Sequence, residues 1–249
     1  NAGGVENTKC IARWSKANQI WQAVGNPLTG ASLQEIYCMT FDAAGDLYVG
    51  GNFTNAGGDE NADYFAKYTV STDIWSAVGS GIDSSVSAIE IDANGTIYIG
   101  GAFTTAGGNS NCNNIAKKSL NDNNWLPLAN GLNSAVREMK FHPNGNLIIG
   151  GSFTDADGAN GDYICWWDGS SFKSFTSLGA TELSTYGYIN TIDITQNGTI
   201  IIGGSFTNAG GDPNADYVAA WRGNNWGALS AGGVNDSVWD INCTDNNII

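Results

Sequence analysis

The sequence predicts an all-β fold, a five-bladed β-propeller of four-stranded antiparallel blades, and three observations carry that prediction. A phrase close to GGxFTxAGG recurs, each copy sits in the same succession of short strand patterns and turns, and helical periodicity is absent throughout. The phrase reads "GGNFTNAGG" from Gly50, "GGAFTTAGG" from Gly100, "GGSFTDADG" from Gly150 and "GGSFTNAGG" from Gly203, at spacings of 50, 50 and 53 residues. A period in this range marks an array of like supersecondary units.

One unit shows what each repeat contains. "VSAIEID" (Val86 to Asp92) is a short strand, and the following "ANG" ends in Asn94-Gly95, a tight-hairpin signal. "TIYIGGAFT" is the second strand, the polar loop "TAGGNSNCN" leads to a third in "NIAKKSL", and Trp125 opens a fourth in "NNWLPLANG". Four hairpin-linked strands form one antiparallel sheet, and such sheets in tandem are propeller blades. The turn signal recurs at Ala44-Gly45, Asn144-Gly145, Asn197-Gly198 and Asn246-Asn247, and the fourth-strand aromatic at Trp21, Trp75, Trp125, Phe172 and Trp226. Each series has five members, hence five blades.

The ends fit one composite blade. "CTDNNII" reads as a first strand, its turn and the start of a second, whereas the opening "NAGG" is the loop that follows a second strand. The pattern predicts one domain over residues 1–249, its ring closed by pairing N- and C-terminal strands, with Ile248 and Ile249 beside the segment from Ile11 to Trp14. A short "GGSFT"-type piece is then owed by continuing polypeptide or by a neighbouring subunit. Within the phrase, the paired glycines are expected where blade packing leaves no room for Cβ, and Phe53, Phe103, Phe153 and Phe206 between neighbouring blades. The glycines of "NAGG" suit a turn with positive φ.

Composition limits the partners. The 249 residues carry 24 acids against 10 bases, a net charge of −14, so no basic surface exists for a nucleic-acid backbone. Cations, glycans and positively charged protein surfaces remain. No apolar run approaches the roughly 20 residues of a membrane span, which excludes helical insertion. Nine each of Trp, Tyr and Phe supply a sizeable core, while charged residues make up only 14% of the chain. A surface that is polar but mostly neutral points to an extracellular or cell-surface location. Cys10, Cys38, Cys112, Cys165 and Cys243 show no CxxC spacing for zinc, and Cys165 falls in a column otherwise filled by Ala12, Ala66, Ala116 and Ala219, so it is expected to be a buried free thiol.

Units with this phrase, followed by A-x-W-D-G and a later "LYVGG", resemble the tandem propeller repeats of bacterial secreted and cell-surface proteins and of phage structural proteins. The resemblance covers nearly the whole chain and implies the fold, with no shared activity. A weaker likeness, carried by "DNNWLPLANG" (Asp122 to Gly131) and "FHPNGNL" (Phe141 to Leu147), is to five-bladed lectins of the tachylectin type. It implies N-acetylated sugars bound between blades, and too few residues match to carry any sugar-binding position across.

Three sets of residues could hold chemistry. The loops after the second strands collect acids, and "DADGANGD" places Asp155, Asp157 and Asp162 around a glycine turn like the front half of a calcium loop, without its closing Glu. The alternative is a plain solvated acidic loop. On the first strands, Thr40, Glu90, Lys140, Asp193 and Asn242 align in one column, and Cys38, Ala88, Glu138, Thr191 and Asp240 in another. Lys140 would lie between Glu90 and Asp193, either as a satisfied polar ring or as the site of a channel ligand. Trp166 and Trp239 break columns that elsewhere hold small or polar residues, and stand as core, as blade contact or as a surface on which a sugar ring stacks.

An enzyme is the rival class. Glu90, Glu138, Asp193 and Asp240 could supply the carboxylate pair of a propeller-type glycoside hydrolase. Near-identical blades argue against it, as do a single histidine, His142, in a turn and the absence of a nucleophile elbow. The sequence therefore predicts a non-enzymatic extracellular module that binds a glycan or protein surface. The alternative is a self-associating structural subunit of a filament, phage or virion.

Overall fold

A computed structural model of the chain describes residues 2–6, 10–25, 28–29, 35–119, 122–156, 162–175, 187–231, 233–244 and 247–248. Two compact units divide the chain, Asn1–Pro127 and Leu128–Ile249. In the first unit β1 (Arg13–Ser15) pairs with β2 (Ile20–Gln22). After β3 (Leu28–Thr29), β4 (Glu35–Phe41), β5 (Leu47–Asn52), β6 (Thr54–Ala56), β7 (Phe65–Thr69) and β8 (Ile74–Ala77), a four-stranded sheet runs β4-β5-β7-β8 and β3 pairs with β6. A second four-stranded sheet consists of β9 (Val86–Ile91), β10 (Ile97–Gly101), β11 (Ile115–Lys118) and β12 (Leu126–Pro127).

The second unit repeats the plan. One four-stranded sheet holds β13 (Val136–Phe141), β14 (Leu147–Gly151), β15 (Ile164–Trp167) and β16 (Phe172–Ser174). The next holds β17 (Ile189–Ile194), β18 (Ile200–Gly204), β19 (Val218–Trp221) and β20 (Trp226–Gly227). Finally β21 (Cys243–Thr244) pairs with β22 (Asn247–Ile248). Four complete four-stranded antiparallel sheets of the propeller-blade kind are thus present among the described residues.

The ring closure expected from the sequence is not seen. β22 pairs with β21 and β1 with β2, and no ladder joins an N-terminal to a C-terminal strand among the described residues. Each two-residue strand uses its few ladder bonds within its own hairpin. Ile249 lies outside the described residues. Trp14 of β1 and Trp21 of β2 do not join the core: they are 51% and 39% exposed and meet edge-on at 5.3 Å. Their counterparts are buried: Tyr68 and Trp75 pack in one cluster with Val24, Leu47 and Phe53, and Trp221 and Trp226 in another with Ile148, Ile164 and Phe175.

The recurring phrase has a physical cause at each position. Every first strand carries a one-residue bulge, leaving Tyr37, Ser87, Arg137 and Asn190 without an opposite partner. The bulge pushes a carbonyl into the second strand: a Cβ on Gly51, Gly101, Gly151 or Gly204 would stand 2.0, 2.1, 2.2 or 2.0 Å from the oxygen of Glu35, Ser85, Ala135 or Tyr188. The first glycine of the pair meets the neighbouring sheet instead. A Cβ on Gly50 would lie 2.7 Å from Val86 Cγ1, and one on Gly150 2.7 Å from Ile189 Cγ2. The phenylalanines fill the gap between sheets: Phe103 packs with Tyr48 and Phe65, and Phe206 with Ile148, Ile164 and Phe175.

The hairpins form where Ala-Gly and Asn-Gly predict them, with a different turn class. Gly45, Gly95, Gly145 and Gly198 alone take positive φ there, whereas a two-residue primed turn needs it at both central residues. Each is a four-residue turn closed by the glycine N–H on the carbonyl of Asp42, Asp92, His142 or Thr195, at 2.8 to 3.0 Å. The Cys165 thiol is fully buried and unbridged, and burial pushes its pKa well above the ordinary thiol range.

Two predictions follow from this packing. Gly151→Ala or Gly204→Ala should cost on the order of 3 kcal/mol in urea unfolding, because backbone must move, whereas Gly145→Ala, in open space, should cost about 1–2 kcal/mol. A maleimide should label Cys165 only after denaturation; rapid native labelling would contradict its burial.

Candidate functional site

The β13–β14 and β17–β18 turns of the second unit flank a cleft of about 490 Å³. Its lining includes His142, Asn144, Asn146, Trp166, Phe175, Asn197, Thr199, Trp221 and Arg222. Trp166 projects from β15 at a register position beside Ile148 of β14 and is partly buried. Phe175 stands edge-on to Trp166 at 4.8 Å and to Trp221 at 4.9 Å, and lies 5.0 Å from Trp226, so the apolar wall is a continuous aromatic cluster.

The rim is polar and held in place. His142 Nδ1 accepts the Asn144 N–H at 3.2 Å, which leaves the proton on Nε2 to be donated to the Gly198 carbonyl at 3.0 Å. The imidazole thereby ties one hairpin turn to the next, and a Cβ on Gly198 would fall 2.9 Å from Nε2. Asn144 Oδ1 accepts from Asn146 N–H at 3.0 Å, and Asn197 Oδ1 from the Thr199 hydroxyl at 3.0 Å.

The corresponding place in the first unit explains why a cleft exists here. There Lys67 occupies the position of Trp166 and reaches Asp42 at 3.4 Å and Asp46 at 2.8 Å, with Tyr48 beneath its ammonium at 5.3 Å. His142 replaces Asp42, Asn146 replaces Asp46 and Ile148 replaces Tyr48. An internal ion pair has been exchanged for an indole surface with a neutral rim. The next sheet, at the same place, has Thr195, Asn197, Thr199, Ala220 and Leu229 around a smaller hollow of about 300 Å³.

The inner-strand columns form a separate polar cluster in the second unit. Burial lifts the Glu138 carboxyl to about 7; Lys140 and the Met139 N–H pull it down, while Asp240 and Asp193 push it up. Asp193 is spent on structure: Oδ2 accepts the Cys243 N–H at 2.6 Å and Oδ1 the Ile194 N–H at 2.9 Å. Thr191 Oγ1 likewise accepts the Ile241 N–H at 3.2 Å. Glu90 occupies the Lys140 register position on β9 of the first unit and is partly buried.

The acidic loops are largely stitched to their own backbone. Asp63 Oδ1 accepts the Asn55 N–H and Asp216 Oδ1 the Asn208 N–H, each at 2.7 Å. Asp59 bridges to the Asn61 and Ala77 N–H groups at 3.0 Å each, and Asp212 to those of Asn214 and Ala228 at 2.9 Å each. Of the calcium-loop residues, Asp155 is exposed, Asp162 is half-buried and Asp157 lies outside the described residues. Among the described residues no group of three His, Cys, Asp or Glu stands close enough to hold a metal ion.

The structure thus brings Trp166 to a cleft and leaves Trp239 apart, 69% exposed at the position matching the bulge residues. Asn144, Asn146, Phe175 and Arg222 were missed by sequence reasoning, and His142 was read only as a turn residue. The available signal was joint variation of three columns, Lys67 with Asp42 and Asp46 in one repeat, and Trp166 with His142 and Asn146 in another.

Comparison with known proteins agrees with this architecture. Residues 113–220 match the model of the Rax2 C-terminal beta propeller domain, and residues 93–117 that of a beta-propeller domain of unknown function, DUF5122. No curated protein matches the chain. Among solved structures, the extracellular domain of a hybrid two-component system from B. thetaiotaomicron superposes with a TM-score of 0.60 at 14% identity, over 93% of this chain. U3-55K gives 0.55 at 13% identity over 94% of it. The chain spans 28% and 65% of those two chains, and at such identity the likeness shows the fold alone. Among the described residues no helix is long and apolar enough to cross a membrane. The chain is a β-propeller repeat protein in fold, similar to these domains.

Glu138 gives a pH prediction. Its folded pKa, about 7, lies above the unfolded value, so between the two the native state binds the extra proton and stability falls as pH rises. Glu138→Gln should remove that slope and, at pH 8, stabilise the protein by on the order of 1 kcal/mol, water access limiting the gain. Parallel thermal-melting curves for both proteins from pH 4.5 to 8 would contradict the assignment.

Proposed function

We propose that this protein is a non-enzymatic, extracellular binding module whose ligand is a glycan seated in the cleft between the β13–β16 and β17–β20 sheets. The observation that carries the reading is the replacement of the Lys67-type ion pair by Trp166 with a rim of His142, Asn144, Asn146 and Thr199. An indole face stacks on the C–H face of a pyranose, and fixed amides and hydroxyls bond its hydroxyl groups. Glycosidic hydrolysis by the common route needs a carboxylate pair, and no carboxylate stands among the described residues that line the cleft. The five-bladed count belongs to the same reading.

A second reading, as a self-associating structural subunit, has support from Met39 and Phe41, which are 61% and 62% exposed on β4. The counterparts of Met39, Met139 and Ile192, are buried, and those of Phe41, Phe141 and Ile194, are partly buried. Apolar surface of this kind favours a protein partner.

A glycan array with wild-type protein and Trp166→Ala separates the readings. Specific binding by wild-type, weakened about tenfold or more by the variant, supports the cleft; stacking contacts are worth about 1–3 kcal/mol. A blank array with concentration-dependent assembly, abolished by Met39→Lys, would replace it with the structural reading.

A further inference from the structure

We propose that the cleft selects a sugar bearing a carboxylate, which Arg222 holds through its guanidinium; this rests on the glycan-binding reading above. The chain has 24 acidic residues against 10 basic ones, yet the described residues that line the cleft include no acid and one permanent charge, Arg222. Arg222 also lines the smaller hollow beside the cleft, so one guanidinium serves both openings, and the aromatic wall of Trp166 and Trp221 is what sets the cleft apart.

The repeat shows how the cation came to face the cleft. Arg222 follows Trp221 as Asp168 follows Trp167. Asp168 closes its own turn: Oδ1 accepts the N–H groups of Ser170 and Ser171, each at 2.9 Å, and Oδ2 lies 3.6 Å from Lys173 Nζ. Arginine has no acceptor and cannot cap that turn. Its Nη2 instead donates to the Ala228 carbonyl at 3.2 Å, which positions an exposed guanidinium at the cleft. At this position one repeat thus carries an acid spent on a turn, and the next a base beside a pocket.

The geometry suits a carboxylate. A planar guanidinium offers paired N–H donors that match two carboxylate oxygens, which a neutral hydroxyl cannot use in the same way. The Trp166 and Trp221 side chains supply the apolar wall for the ring, while the Asn144 and Asn146 amides lie among the lining groups available to its hydroxyls. Both ring nitrogens of His142 are engaged with the two turns.

The test is calorimetric titration of the full chain with a short 1,4-linked hexuronic acid oligomer, and with the same oligomer after its carboxyl groups have been reduced to hydroxymethyl groups. The acid form should bind about ten- to a hundredfold tighter, the worth of a charge-assisted pair. Arg222→Gln should abolish the preference for the acid form over the reduced form. Arg222→Lys should recover only part of the difference, because a point charge lacks the paired donors. Equal affinity of wild-type protein for the two oligomers, or a preference that survives Arg222→Gln, overturns the carboxylate proposal while the glycan reading stands. If neither oligomer binds, or if Trp166→Ala leaves both affinities intact, the glycan reading fails and the proposal with it. Matching melting curves establish that the variants fold.

Discussion

A carbonyl oxygen standing about 2 Å from where a Cβ would be is the contact around which each sheet is built. It joins the bulge of the first strand to the second glycine of the pair. Three hydrogen-bond sets lock it: the glycine N–H bonds the carbonyl of Tyr64, Asn114, Tyr163 or Tyr217; that residue's own N–H bonds the carbonyl of Phe53, Phe103, Phe153 or Phe206; and the residue after the glycine bonds the bulge carbonyl of Ser85, Ala135 or Tyr188 in three of the sheets. Tyr64, Asn114, Tyr163 and Tyr217 all adopt positive φ, between 61° and 64°, which is costly for a side-chain-bearing residue and persists because both its backbone groups are bonded. The phrase GGxFT is thus one interlocked unit, and its Phe is aimed into the space between sheets as a result.

With the backbone so fixed, variation is confined to side chains at repeated positions, and there the sheets differ in chemistry. The turn-capping position is Asp42, Asp92, His142 or Thr195 in successive sheets. Each accepts a backbone N–H of its own turn, through a carboxylate, an imidazole nitrogen or a hydroxyl. Only the imidazole also reaches the adjacent turn, on Gly198. The position facing it on the third strand changes in step, from Lys67 to Trp166. Removing both signs of charge at once avoids a half-buried unpaired ion and exposes an aromatic wall.

Acidity has a structural explanation as well as an electrostatic one. Many loop acids cap backbone N–H groups across eight or more residues, as Asp63, Asp59 and Asp212 do. A chain poor in helix and rich in irregular loops has many orphan N–H donors, and a short carboxylate is an efficient acceptor for them. The backbone bonds hold the Asp59 and Asp212 carboxyls below the ordinary carboxylate range. The described residues that line the cleft around Trp166 include no carboxylate, which makes them chemically distinct from these loops.

The sequence by itself determined the strand order, the hairpins, the burial of the phenylalanines and Cys165, and the need for paired glycines, because period, turn residues and repeated columns each reflect contacts within a repeat. It also singled out Trp166 as a break in its column. What tertiary structure decided lies between repeats. That His142 spans two turns, that Phe175 joins Trp166 to Trp221, and that Arg222 faces a cleft depend on residues as far apart as His142 and Gly223 meeting in space. No local pattern records such a meeting. The bulge was equally hidden, since a register shift of one residue leaves no mark on composition. The exposure of Trp14 and Trp21 followed from pairing as well: the same aromatic residue is core or surface according to whether another strand lies across it.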